Sequence, residues 1–323
     1  MEPLDSLLLQ GRRSLNCVVN IGMNSDCESQ PIGTMKSAFG TDCKINLLDL
    51  GIICVSGKDA GQFLQGQLTC DVREVNAEQS RLGAHCDVKG RIQATFRLFF
   101  YKDAYYLLLP KTVIPHLLQC LKKYAVFSAV NLIDVSQHCK IIGVIGSLRT
   151  LKDQGYIRLA ITDTVPRFIL LTMPYDASLS FIDSTGSTGP INRWHLLDIL
   201  AGIPTIYPET IGQFTPHQLN YPVLSGVSFN KGCYIGQEII ARTHYLGKSK
   251  SRLYRLAFQS NRPFPPGTRL QNDEGSTQGR VIMVANEEDT YFQALACLQT
   301  QAISHNIYLE GPQGPVVKIL ALS

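Results

Sequence analysis

The densest run of chemically competent side chains is Asn230-Lys231-Gly232-Cys233-Tyr234-Ile235-Gly236-Gln237-Glu238, continuing into Ile239-Ile240-Ala241-Arg242. Two glycines bracket one thiol, and residues 237–242 read as a helix. On that reading Cys233 and Tyr234 occupy the turn feeding a helix N-terminus, where unpaired backbone N–H groups and the dipole favour negative charge. Lys231 and Arg242 add positive charge, and both influences lower a thiol pKa and raise its thiolate fraction. Gln237 and Glu238 are placed to hydrogen-bond back to the turn, as first-turn side chains do. The chemistry implied by the residues alone is that of a thiol with a raised thiolate fraction. The plainer alternative is a tight turn around a packed thiol, and exposure of Cys233 separates the two.

Charge gathers in the same place. Between Lys231 and Arg255 stand six bases (Lys231, Arg242, Lys248, Lys250, Arg252, Arg255) and one acid, Glu238. This local +5 exceeds the +4 of the whole chain, so the remainder nets −1 and an anionic ligand or partner is drawn here. A +4 charge spread over 323 residues does not mark a nucleic-acid binder. Direct RNA binding through the basic stretch is therefore only the third reading, recognisable by a steep fall of affinity with salt.

Cysteine usage narrows the metal chemistry. Cys17, Cys27, Cys43, Cys54, Cys70, Cys86, Cys120, Cys139, Cys233 and Cys297 stand singly, with no C-x-x-C pair. Structural zinc wants close pairs, so no stably bound metal is expected. Most of these thiols read as small hydrophobes in a reducing compartment, as Cys54 does within Ile52-Ile53-Cys54-Val55. His85-Cys86-Asp87 is a weak second ligand group, because a strand sends His85 and Asp87 to one face and Cys86 to the other. Ser56-Gly57-Lys58-Asp59 imitates the end of a phosphate-binding loop and fails. Gly51 leaves five intervening residues where four are needed, and Asp59 stands where a hydroxyl should meet magnesium. It reads instead as a turn opening a helix, with Asp59 favourable at the dipole.

The elements that must position these groups follow from composition and periodicity. With 45% hydrophobic and 17% charged residues, the chain has apolar material for two or three cores, which excludes disorder. No run of about 18 apolar residues occurs, and Leu7-Leu8-Leu9 is too short for a signal-peptide core. A soluble, cytoplasmic protein is expected. Residues 1–42 read as a poorly ordered arm. Its five acids against three bases argue against a mitochondrial presequence. Residues 45–56 read as one bent or two short strands, 59–64 as a short helix, and 82–110 as further strands turning at Lys102-Asp103-Ala104. A helix spans 112–124 with Pro115 in its first turn. Strand-like segments follow at 130–135, 141–145 and 168–173, and a helix at 192–201 is stopped by Gly202 and Pro204. On it Trp194, Leu197 and Ala201 share a face. From 253 onward, apolar runs at 253–258, 279–284, 293–298 and 316–320, punctuated by Gly and Pro, have the rhythm of a small antiparallel barrel. The whole reads as α+β followed by an all-β domain.

At the thiol motif a resemblance appears. Lys231-Gly232-Cys233-Tyr234-Ile235-Gly236-Gln237-Glu238 resembles the K-G-C-[FY]-x-G-Q-E signature of the YgfZ family, folate-binding proteins related to glycine-cleavage aminomethyltransferases. Residues 64–72 (LQGQLTCDV), 84–90 (AHCDVKG), 121–128 (LKKYAVFS) and 201–204 (AGIP) are similar to family blocks in the same order. The likeness covers about residues 45–255.

The resemblance implies a ring around a central channel that holds tetrahydrofolate or a related folate. Its parts are a two-lobed aminomethyltransferase-like domain over 43–250, with the second lobe at about 130–190, and a C-terminal antiparallel β-barrel over 251–323. It further implies an accessory role in iron–sulfur cluster assembly or maintenance, indirectly supporting tRNA modification. Client or assembly proteins would be the partners, the protein a monomer, and no membrane or direct nucleic-acid contact is expected. A mitochondrial matrix location is the alternative for a eukaryotic source. Cys233 is the reactive thiol with Lys231 beside it. Trp194, Leu50, Tyr234, Gln237, Glu238 and Arg242 are assigned to the folate side, facing the same hole as the thiol. Trp194 matches the second of two channel tryptophans. The first falls at Leu50, and losing one aromatic face weakens pterin stacking by about 0.5–1.5 kcal/mol. The related aminomethyltransferases carry an acid where Leu200 stands, which counts against aminomethyl or one-carbon transfer as the activity.

Overall fold

Residues 45–56 resolve into two strands, β1 (Cys43–Asn46) and β2 (Leu50–Ser56), separated by a turn in which the Leu50 N–H donates to the Leu47 carbonyl. The computed structural model describes residues 43–146, 156–161, 165–172, 187–247 and 249–322, all within one compact unit, Thr41–Ser323. The arm over 1–42 lies outside the described residues, as does part of the second lobe.

After β2 comes α1 (Ala60–Gln67), entered at Asp59 as the failed phosphate loop suggested. The Asp59 carboxylate accepts from the Ala129 N–H at 2.7 Å, which ties the start of α1 to the segment seventy residues later that leads into β6. Strands β3 (Arg81–Cys86), β4 (Ile92–Tyr101) and β5 (Ala104–Pro110) follow. Lys102 and Asp103 adopt positive φ at the hairpin between β4 and β5. Then come α2 (Ile114–Ala125), with a 3₁₀ turn before it, and β6 (Asn131–Asp134). These strands form a sheet ordered β3-β4-β5-β2-β6, antiparallel throughout. Phe63 and Leu64 of α1 and Leu117 and Leu121 of α2 pack with Ile53, Phe96 and Leu107 of the sheet in one apolar core. Each such burial contributes about 1.5–3 kcal/mol.

The second sheet uses β7 (Lys140–Ile145), β8 (Ile157–Ile161), β9 (Arg167–Thr172) and β10 (Ser187–Thr188) in the order β10-β1-β7-β9-β8. Every residue of β9 is buried, while β8 alternates buried and exposed as an edge strand does. Helix α3 (Ile191–Leu200) follows, and α4 (Gln237–Leu246) ends this part of the chain.

Beyond it lie β11 (Ser251–Gln259), β12 (Arg269–Gln271), β13 (Thr277–Glu288), β14 (Tyr291–Gln299), β15 (Tyr308–Leu309) and β16 (Lys318–Leu320). They form an antiparallel sheet ordered β15-β12-β13-β14-β11-β16 that curls into a half-barrel. Register shifts at Val281/Met283 and Asn286/Glu288 bend β13, as bulges do. The α+β reading and the all-β end hold, whereas β10, β12 and β15, of two or three residues each, are too short to show periodicity, and sequence reasoning missed the alternation of β8. Helix α3 is moored to the half-barrel. The Asn286 N–H donates to Asn192 Oδ1 at 2.9 Å, and Asn192 Nδ2 donates back to the Asn286 carbonyl.

Candidate functional site: a carboxylate cleft and an exposed thiol turn

The cleft is built from the end of α3. Gly202, at φ +64°, donates its N–H to the Ile199 carbonyl at 3.1 Å, and the Ile203 N–H donates to the Asp198 carbonyl at 2.9 Å. This pair of bonds closes the helix in a Schellman end. Asp198 is thereby fixed one turn after Trp194, on the same helical face. Leu50, Arg97, Trp194, Asp198, Ile203 and Tyr221 all line one cleft, so the two positions assigned to the folate channel do meet. Its cavity volume is about 70 Å³. That is well below the roughly 300 Å³ at which pockets for whole drug-sized ligands begin, so it admits the edge of a ring.

The indole does not offer an open face. Trp194 is 3% exposed. It rests on the backbone of Gly143 in β7, where an added Cβ would stand 2.5 Å from two indole carbons. The Arg167 guanidinium lies over the ring, 4.8 Å from its centroid. The expected pterin-stacking platform is corrected accordingly: protein already covers the ring. Arg167, fully buried, meets Asp198 Oδ1 at 2.8 Å. Burial raises the Asp198 carboxyl above the usual range, opposed by the charges of Arg167 and then His195. His195 in turn pairs with Asp49 Oδ2 at 2.8 Å. Burial works against the imidazolium, but the Asp49 hydrogen bond and charge prevail and raise its pKa. Leu200 is buried and does not line the cleft, which draws its carboxylate from Asp198 instead. Sequence reasoning missed Asp198, Arg167 and Arg97. The i, i+4 spacing of Trp194 and Asp198 was the available signal for the first.

The thiol turn is anchored by a different use of Lys231 from the one expected. Its ammonium, on a residue 7% exposed, donates to the carbonyls of Leu68 at 2.8 Å and Cys70 at 2.7 Å and lies 5.1 Å over the Tyr234 ring. Burial pulls its pKa down to about 8, partly offset by the charges of Cys70 and Asp71. Lys231 therefore serves backbone carbonyls and is not part of an exposed electropositive rim. Arg255 is half-buried, Lys248 lies outside the described residues, and Arg242, Lys250 and Arg252 remain exposed. The turn is tied to residues 66–70 at three further points. The Ile235 N–H donates to the Gly66 carbonyl, the Ser228 N–H to the Thr69 carbonyl, and Thr69 Oγ1 to the Gly226 carbonyl.

Cys233 is exposed, the only cysteine of that class among the described residues, and so meets the first condition for reactivity. It stands four residues before Gln237, the first residue of α4, and Gly236 caps that helix without a side-chain hydrogen bond. Gly236 has φ +79°, and a Cβ there would stand 2.5 Å from the Asp87 carbonyl, so only glycine fits this approach. Tyr234 is buried, its hydroxyl without a hydrogen-bond partner, and Gln237 is half-buried; Glu238 and Arg242 are exposed on α4. None of Cys233, Tyr234, Gln237, Glu238 and Arg242 lines the cleft with Leu50 and Trp194. The thiol and the indole were expected to face one hole, and this cleft takes in the indole without the thiol. Lys231 and Gly236 fasten the turn to residues 66–70 and 87–90.

His85 and Cys86, expected on opposite faces, are both buried, with a register shift between them. Among the described residues no three His, Cys, Asp or Glu side chains gather as a metal site would require. Nor is any described helix long and apolar enough to cross a membrane.

No family model matches the chain. It is 35% identical over 248 residues to the tRNA-modifying protein YgfZ of Colwellia psychrerythraea, across 72% of this chain and 76% of that one. To the tRNA-modifying protein YgfZ of Sodalis glossinidius it is 33% identical over 285 residues, covering 81% and 87%. Its fold is similar to the crystal structure of glycine cleavage system aminomethyltransferase T from Bartonella henselae. The TM-score is 0.66 at 14% identity, over 87% of this chain and 85% of that one. With relatives at this identity spanning most of both chains, and the thiol signature presented on a pinned turn, the chain belongs to the YgfZ family.

Proposed function

We propose that this protein is a tetrahydrofolate-binding accessory factor for iron–sulfur cluster assembly or maintenance that indirectly supports tRNA modification, with Cys233 as its reactive thiol. The observation that carries the reading is the exposure of Cys233 on a turn anchored on either side of it, at Lys231 and at Ile235. A rigid, solvent-facing sulfur suits brief contact with a partner protein's iron or sulfur. One thiolate does not hold a cluster alone. The tRNA-modification link is supported by the names of the relatives. The folate site is the cleft of Leu50, Trp194 and Asp198, supported by the likeness of fold to an aminomethyltransferase and by a carboxylate beside an aromatic residue. Because thiol and cleft are separate, their roles divide. Cys233→Ser is expected to abolish support of iron–sulfur client enzymes in cells lacking the native protein, while tetrahydrofolate affinity stays within about twofold. Equal loss of both would refute the division. Formation of methylenetetrahydrofolate from an aminomethyl donor would establish the rival, a one-carbon transferase.

A further inference from the structure

Trp194 was expected to act by offering a face to the ligand, yet Gly143 and Arg167 occupy its surroundings and it is 3% exposed. What the ring does offer is a seat for a guanidinium. Arg167 lies over it with no exposed side-chain surface and delivers its NH2 group to Asp198 Oδ1 at 2.8 Å. Asp198 lines the cleft, and its side chain retains 16% exposure. A buried guanidinium held over a ring and paired with a carboxylate is a rigid support, because it has little room to move and its charge is not solvated away.

We propose that Trp194 is a positioning residue, acting through Arg167, and that Asp198 is the group that touches the ligand, accepting hydrogen bonds from a 2-amino-4-oxopyrimidine edge. That edge presents two adjacent N–H donors, the geometry a carboxylate binds bidentately. A cleft of about 70 Å³ accommodates an edge more readily than a stacked bicycle. The proposal rests on the folate reading for its ligand, since pterins carry this edge. Guanine carries it too, so guanosine monophosphate is the control arm.

The discriminating variant is Arg167→Met, measured by equilibrium binding of tetrahydrofolate alongside Asp198→Asn, Trp194→Ala and Trp194→Phe. Asp198→Asn is expected to weaken binding roughly 10- to 100-fold. Arg167→Met and Trp194→Ala should each weaken it about tenfold, and the double variant no further, because they act in one line. Trp194→Phe keeps a ring beneath the guanidinium and should hold binding within about threefold. Arg167→Met that leaves binding intact or tightens it, by uncovering the indole, overturns the proposal in favour of stacking. Binding of guanosine monophosphate as tight as tetrahydrofolate keeps the role of Asp198 but transfers the site to a nucleotide.

If the wild type binds no tetrahydrofolate, the folate reading falls, and the positioning role is then read without ligand from ¹³C titration of the Asp198 carboxyl. The charged and titratable groups facing it are Arg167, His195, Arg97, Tyr207 and Tyr221. Trp194→Ala should move its midpoint upward, in the direction Arg167→Met does; an unmoved midpoint in Trp194→Ala overturns the proposal. Retained thermal unfolding cooperativity in each variant shows that the fold is intact.

Discussion

Replacing Lys231 with methionine keeps the aliphatic stem but strands the Leu68 and Cys70 carbonyls, which now receive the ammonium at 2.8 and 2.7 Å. Each stranded buried acceptor costs about 1–3 kcal/mol, about 2–6 for the pair. Against this, the variant no longer buries a charge. A lysine pKa lowered from 10.5 to about 8 corresponds to about 3.4 kcal/mol of disfavour for the charged form. At pH 7 the two effects offset each other, and the net change lies between a gain of about 1 and a loss of about 3 kcal/mol. The informative quantity is the slope. Between pH 8 and 10.5 the unfolded chain holds the proton that the folded lysine has shed, so wild-type stability rises with pH through this window. The neutral amine still has two N–H groups for the two carbonyls. From pH 7 to pH 10 the gain is about 2.5 kcal/mol, and methionine has none of it. Urea unfolding of both proteins at pH 7, 8, 9 and 10 under reducing conditions reads the difference directly. A gap that stays constant across the series refutes the burial of this ammonium against carbonyls.

Gly143→Ala drives a methyl into the indole and should cost about 1–3 kcal/mol. Trp194 is the only tryptophan of the chain, so intrinsic fluorescence reports this site alone, and an unchanged spectrum with unchanged stability would contradict the packing. Gly236→Ala meets both a positive φ and the Asp87 carbonyl, and should destabilise by at least about 1 kcal/mol and speed proteolysis between residues 228 and 237, read by limited digestion. The raised His195 pKa contributes stability that is complete below the unfolded value of 6.5 and is lost as pH rises through the folded value. Asp49→Asn should abolish that slope in denaturation curves between pH 5 and 8. Asp71, held well below the carboxylate range by the Arg73 hydrogen bond, contributes in the opposite sense: its share is present above about pH 4 and lost as pH falls, and Asp71→Asn should flatten the acid limb.

Much of the architecture was legible because alternation and helical spacing report burial directly. Helix α3, with Trp194 and Leu197 on one face, and the hairpin at Lys102-Asp103 both lie where periodicity puts them. The thiol motif was equally plain, since glycines at 232 and 236 around Cys233 announce a constrained turn. What stayed hidden depended on partners distant in sequence. Lys231 reads as a surface base until the carbonyls 161 and 163 residues away fold beneath it. Arg167 opens a fully buried strand and gains meaning only when α3 lays an indole under it and a carboxylate beside it. Whether one cleft or two surfaces carry the chemistry is a matter of which loops are tied together, and that information lies in backbone hydrogen bonds rather than in residue types.

The reciprocal amide pair between Asn192 and Asn286 has a consequence for how this protein can be cut or rearranged. The helix that bears the cleft's indole and carboxylate takes its bearing from a strand nearly a hundred residues downstream. A fragment ending at residue 250 would retain every cleft-lining side chain and yet lose the fastener that orients them, so the terminal half-barrel is an inseparable jig for the pocket rather than a detachable appendage.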